Sequence, residues 1–173
     1  MAELILCGRG GQGIVFLTRL LGDIASSKGL DVISSETHGM AVRGGSINSH
    51  LRIGAFCSPL IRNGHADFLL SLDATETENN KHYLKNRGII IENSPLPRED
   101  GVLRVDAARL AREFGRVQLE NVVLLGFACT VDEFPIQFGE IKDRLALHPN
   151  ERVRAMNLIA LDAGSKACMA ERC

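Results

Sequence analysis

The segment Gly8-Arg9-Gly10-Gly11-Gln12-Gly13 stands between a short apolar run, residues 3–8, and a stretch in which Ile14, Leu17, Leu20, Leu21 and Ile24 recur at helical spacing. A short apolar run ending at glycine reads as a buried strand, and the recurring positions read as one face of a helix over residues 14–27. Gly29 ends that helix, and residues 31–36 read as a second strand. Strand, glycine turn, helix and strand in this order open a layered α/β fold.

Residues 46–54 alternate. Ile47, Ser49, Leu51 and Ile53 point one way, and Asn48, His50 and Arg52 the other. One packed and one polar face suits an antiparallel or edge strand, so the sheet is predicted to be mixed. Further strands are expected over 66–72, 88–92 and 102–105. Helices are expected over 75–85, over 107–114 behind the cap residue Asp106, over 137–146 and over 151–170. The last helix carries Val153, Met156, Ala160, Ala163 and Ala167 in one stripe. Residues 121–131 are dense in Val and Leu and read either as a strand or as a helix capped by Asn121. Residues 93–101 and 148–150 read as loops. The sum is a single three-layer α/β/α domain over residues 1–173, with a mixed, mostly parallel sheet and a Rossmann-like start.

Composition narrows the function. A chain of 173 residues suffices for one sizeable core and not for two ordinary domains. With 45% hydrophobic and 24% charged residues it is neither disordered nor a charged tail. No apolar run is long enough for a membrane span, and the start lacks the pattern of a signal peptide, so a cytoplasmic location is expected. The net charge of -1 argues against a general nucleic-acid binder. The cysteines Cys7, Cys57, Cys129, Cys168 and Cys173 are odd in number and lack two-residue spacing. They read as free thiols rather than zinc or iron–sulfur ligands.

Two loops are candidates for function. Gly8, Gly10 and Gly13 match the spacing of the dinucleotide fingerprint, and Gly10, Gly11, Gln12 and Gly13 lead into a helix whose amide groups favour an anion. The acidic residue that would receive a ribose is poorly placed. Glu36 is the nearest equivalent, and Asp31 begins its strand rather than ending it. The alternative is a tight turn that packs helix on sheet. The second loop, Glu36-Thr37-His38-Gly39-Met40-Ala41-Val42-Arg43-Gly44-Gly45-Ser46, lets the backbone turn twice around His38 and Arg43. Arg43 offers a fork of donors for a carboxylate or phosphate, and His38 titrates near neutrality. No serine or cysteine is paired with His38 by sequence, so no catalytic residue is assigned. His50 and His65 without spaced carboxylates or cysteines do not make a metal site.

Taken together, GRGGQG after the first strand and ETHGMAVRGGSINSHLRIG from residue 36 resemble the gamma-type domain of 2-oxoacid:ferredoxin oxidoreductases. The THGMA-x-RGGS form is most similar to the beta-subunit branch of the indolepyruvate ferredoxin oxidoreductases. The similarity continues through residues 57–61, Ala66-Asp67, 121–126 and 157–164, nearly the whole chain. Arg9 stands where a smaller residue is common. The resemblance implies the fold of domain III of pyruvate:ferredoxin oxidoreductase, with a helix over 121–131.

It also implies a division of labour. A larger partner holds thiamine diphosphate, magnesium and iron–sulfur clusters, decarboxylates a 2-oxoacid such as indolepyruvate or another aryl pyruvate, and passes electrons to ferredoxin and the acyl group to coenzyme A. This chain is then an accessory subunit, inactive and cofactor-free alone. Its cofactor-binding or interface residues are Gly8, Gly10, Gly11, Gln12, Gly13, Thr37, His38, Gly39, Arg43, Gly44, Gly45 and Ser46. A standalone nucleotide- or coenzyme A-binding module, a purely structural subunit and a homo-oligomer of the isolated chain stay open as alternatives.

Overall fold

The apolar run at the amino terminus becomes the central strand because both of its faces are covered: Leu4, Ile5, Leu6 and Cys7 are all fully buried. A computed structural model describes residues 1–39, 44–97 and 99–170, without the side chains of His38 and of residues 168–170. In chain order the elements are β1 (Ala2–Arg9), α1 (Ile14–Ser27), β2 (Val32–His38), β3 (Ser46–Ile53), β4 (Ala66–Ser71), α2 (Ala74–Asn80), β5 (Leu84–Asn93), β6 (Val102–Val105), α3 (Ala107–Glu113), α4 (Glu120–Ala128), α5 (Phe138–Ala146) and α6 (Glu151–Ala170).

The strands form one six-stranded sheet in the order β2-β3-β1-β4-β5-β6. β3 runs antiparallel to both β1 and β2, and β4, β5 and β6 continue from β1 in parallel. The predicted mixed sheet is therefore present, and its direction changes beside the central strand. Leu4 and Leu6 pack beneath α1, α4, α5 and α6. Ile5 and Cys7 face a thinner layer made with Ile61, Ala66, Leu69 and Tyr83. Among the described residues no helix is long and apolar enough to cross a membrane.

The stretch that reads equally as strand or helix is α4. Every one of its 9 residues is buried. A helix enclosed on all sides needs no amphipathic period, which is why the period is missing from the sequence. Asn121 does not cap it. The cap position is Leu119, and the Asn121 side chain accepts from the Val122 N–H at 2.8 Å.

Two expectations need correction, the end of one helix and the stripe on α6. The helix expected over 75–85 stops at Asn80, a single 3-10 turn follows, and β5 begins at Leu84 because its pairing with β4 starts at Ala66–Leu84. The expected polar face of β3 is present, and the chain itself covers it. Arg52 pairs with Glu3 at 2.6 Å, donates to the Ser58 carbonyl at 2.7 Å and lies 4.1 Å over the Phe56 ring, which folds the segment after β3 back across that face. His50 is buried there, accepting from the Ile61 N–H at 3.1 Å, with Tyr83 edge-on to its ring. The stripe on α6 is also displaced: Val153 is exposed, and the buried positions are Asn157, Ala160, Leu161 and Gly164.

Candidate functional site

The parallel strands deliver their carboxyl ends to one edge of the sheet, where α1 leaves β1 and α2 leaves β4. In open α/β sheets this edge, where the strand order reverses, is where ligands bind. The glycine turn stands at its centre and meets the second glycine cluster there. Gly10 N–H donates to the Gly45 carbonyl at 2.8 Å, and Gly39 N–H donates to the Ser46 carbonyl at 2.8 Å. A Cβ at Gly10 would lie 3.2 Å from the Gly44 nitrogen, so glycine is what lets the two loops approach.

The structure thus brings Gly8, Gly10, Gly11, Gln12 and Gly13 together with Gly39, Gly44, Gly45 and Ser46. Thr37 remains exposed on β2, in register with Asn48. The His38 side chain and residues Met40, Ala41, Val42 and Arg43 lie outside the described residues.

Gln12 closes the inside of the turn. Its Oε1 accepts from the Arg9 N–H at 2.7 Å, and its Nε2 donates to the Leu72 carbonyl and to Glu120 Oε1, each at 3.1 Å. Asn93 donates to Glu120 Oε2 and to the same Leu72 carbonyl, each at 3.4 Å. Its own Oδ1 accepts from Ala108 N–H at 3.2 Å, so Asn93 ties β5 to the start of α3. Glu120 is buried, and burial raises its carboxyl above the ordinary carboxylate range against the pull of the Gln12 and Asn93 hydrogen bonds.

Next to this network Asp73 caps α2 by accepting from Thr75 N–H at 2.9 Å, and it pairs with Arg9 at 2.8 Å. The buried Glu76 accepts from the Ser46 hydroxyl at 2.7 Å, while its backbone carbonyl accepts from Asn80 at 2.8 Å. Asn80 in turn accepts from Asn48. Ser46 is therefore held to α2 from the other side of the strand junction.

Space within the turn is already taken by this chain's own atoms. A Cβ at Gly8 would stand 2.9 Å from Gln12 Oε1, and one at Gly13, whose φ is 84°, would collide with the Asn121 side chain. The interior contacts of the turn are made by this chain's own side chains, Gln12 and Asn121. The outer side differs. Gly11, at φ 101°, has open space beside it, and α1 starts with no side-chain cap and no acidic residue in its first turn. Those amide groups suit an anionic group lying against the outside of the turn.

The described side chains offer little for covalent chemistry. Burial pushes the Cys7 and Cys129 thiols up to about 12, far from thiolate formation at neutral pH. Burial, with Arg52 nearby, lowers His50 below its ordinary value, and its Nδ1 is committed to the Ile61 amide. Among the described residues no group of three His, Cys, Asp or Glu side chains is placed to hold a metal ion. Asp73, Glu76, Asn93 and Glu120 were not singled out by sequence. Asp73 alone had a signal, as a capping residue between an apolar strand and a helix.

The same chain matches known proteins across its length. The family described as pyruvate ferredoxin/flavodoxin oxidoreductase matches residues 3–167. The indolepyruvate oxidoreductase subunit IorB of Pyrococcus horikoshii is 30% identical over 191 residues, covering 95% of both chains. The corresponding protein of Archaeoglobus fulgidus is 28% identical over 194 residues, covering 98% of this chain and 96% of that one. The keto/oxoacid ferredoxin oxidoreductase gamma subunit from Geobacter sulfurreducens has the same fold, with a TM-score of 0.79 at 22% identity over 98% of this chain and 99% of that chain. A glycine turn locked to a second glycine loop at the edge of a mixed sheet, with the sequence match over nearly every residue, places this chain in the pyruvate ferredoxin/flavodoxin oxidoreductase family.

Proposed function

We propose that this chain is the accessory subunit of a thiamine-diphosphate-dependent 2-oxoacid:ferredoxin oxidoreductase, with residues 1–173 as its gamma-type domain and the cytoplasm as its location. The observation that carries the reading is the hydrogen bond from Gly10 N–H to the Gly45 carbonyl, 2.8 Å long. It joins the two glycine motifs into one edge whose inner side is filled by Gln12 and Asn121, leaving the outer side to be presented to a partner. Thiamine diphosphate with magnesium, held by the larger subunit, supplies carbanion stabilisation, and iron–sulfur clusters there supply electron storage on the way to ferredoxin. This chain completes and covers that active region.

Within the reading, Thr37, Gly10, Gly11, Gly39, Gly44, Gly45 and Ser46 face the partner, Gly8, Gln12 and Gly13 hold the turn that presents them, and His38 and Arg43 are proposed to act from the same loop. Arg43 is the residue proposed to meet a partner carboxylate or an anionic cofactor. Arg43→Ala then lowers assembly or coenzyme A-dependent turnover, and Arg43→Lys separates charge from fork geometry. Indolepyruvate or another aryl pyruvate is the proposed 2-oxoacid, supported by the names of the Pyrococcus and Archaeoglobus relatives. A second reading, a coenzyme A contact made by this chain itself, is supported by the open side of Gly11 and the uncapped start of α1.

Co-purification with the larger subunit, followed by assays on aryl and short aliphatic 2-oxoacids with coenzyme A and ferredoxin, tests the proposal. One co-eluting complex with faster turnover of the aryl substrates is expected. Equal or better turnover of pyruvate or 2-oxoglutarate overturns the aryl assignment, and absence of a complex overturns the subunit reading. Saturable binding of coenzyme A to the isolated chain would establish the second reading, and none up to millimolar ligand would reject it.

A further inference from the structure

The first turn of α1, beginning just after Gly13, shares its outer surface with the α5–α6 turn and the start of α6. A groove of about 500 Å³ runs between α1 and the α5–α6 turn, and a smaller one of about 230 Å³ lies between α6 and the segment leading into α4. Both reach Asn157, so α6 forms the ridge between them. The apolar side chains left in solvent here are large: Phe16 is 41% exposed, Leu147 73% and Val153 41%. Apolar grooves flanking a ridge, rimmed by charge, are the anatomy of a protein-binding surface.

Arginines outnumber carboxylates in the lining of these grooves. Arg19 and Arg144 line the larger groove, and Arg116 and Arg152 the smaller. The one carboxylate lining either groove is Asp23, and Arg144 holds it at 2.7 Å. Among the described residues, no carboxylate is paired with Arg19, Arg116 or Arg152. In a chain whose net charge is -1, this is an uneven placement of nearly balanced charge. A second copy of the chain is a poor occupant, because a two-fold contact would set these arginines against one another.

We infer that this face docks an acidic polypeptide segment of the larger partner subunit, with two apolar anchors seated on either side of α6. The inference rests on the accessory-subunit reading. The ridge between the grooves is one helix, about 10–12 Å across, so the anchors stand about two helical turns apart if the segment is itself helical. Carboxylates flanking the anchors meet Arg19, Arg116 and Arg152. Because Phe16 lies in the first turn of α1, docking here sets the partner directly beside the open side of Gly11.

The test measures binding of this full chain to the isolated larger subunit, with hydrogen exchange on the complex. Residues 14–20 and 144–157 gain protection on binding. The triple variant Arg19→Glu, Arg116→Glu, Arg152→Glu binds about 100-fold more weakly than the parent, and parent binding weakens as salt rises. Leu147→Asp is weakened as well, while Arg62→Glu, on the far side of the sheet, binds like the parent. All five positions are exposed, so thermal unfolding of each variant matches the parent. Parent-like binding by the triple variant, or protection confined to other segments, overturns this docking surface and leaves the subunit reading intact. A parent chain that binds no larger subunit overturns both.

Discussion

Gly126 and Gly164 both lie in the crossing of α4 and α6, each against the other helix's backbone. A Cβ on Gly126 would lie 2.9 Å from the Leu161 carbonyl carbon, and one on Gly164 would lie 2.8 Å from that of Val123. The contact lets α4 sit fully buried between α6 and the sheet. It also sets where the amino end of α4 delivers Glu120 and Asn121 to the glycine turn. The site therefore depends on two glycines that do not themselves line it.

Gly126→Ala and Gly164→Ala each lower stability by about 2–3 kcal/mol, the cost of forcing packed backbone apart. Because either change opens the same gap, the double variant costs less than the sum of the two. Urea unfolding of the parent, the single variants and the double variant checks this. Additive effects, or single variants as stable as the parent, contradict the reciprocal packing.

Local patterns made part of this legible. Apolar residues at helical spacing located α1, and alternation located β3. The spacing of GRGGQG located the turn between them. What was not legible depends on residues distant in the chain. His50 alternates as a surface residue would, but Arg52 and Phe56 fold a loop over it, and Tyr83 packs against its ring. The stripe on α6 was misplaced because Gly164, which local pattern counts as nothing, is the position pressed hardest against α4. The glycine fingerprint matched a dinucleotide site by spacing, yet Gln12 reaches Glu120 across 108 residues and fills the turn from within. No window along the sequence contains that contact.

The buried Glu120 gives a pH signature. Its folded value is raised, chiefly by burial, so the protonated form is favoured in the fold. Its contribution to stability is greatest below the ordinary value of 4.5 and is lost as pH rises through the raised folded value. In Glu120→Gln that decline is missing. Denaturant unfolding of parent and variant from pH 4 upward reads the difference, which moves in favour of the variant as pH rises across this window and then levels. A difference that moves the other way contradicts the raised value.

Alkylation separates the described thiols. Cys57 is exposed, whereas Cys7 and Cys129 carry thiols pushed up to about 12 by burial. Brief treatment of the native chain with iodoacetamide labels Cys57 and spares Cys7 and Cys129, and all three label in urea. Peptide mass mapping checks it. Native labelling of Cys7 at a rate near that of Cys57 would remove the case for an inert core thiol.

The central claim is that this chain completes an oxidoreductase without holding its chemistry. The most direct measurement is the rate of ferredoxin reduction as the chain is titrated into a fixed amount of the larger subunit, with 2-oxoacid and coenzyme A in excess. The account predicts no reduction by the chain alone, a low rate from the larger subunit alone, and a rate that rises and saturates once each larger subunit is matched by its complement of this chain. Ferredoxin reduction by the chain alone, or a rate unchanged by its addition, would contradict it.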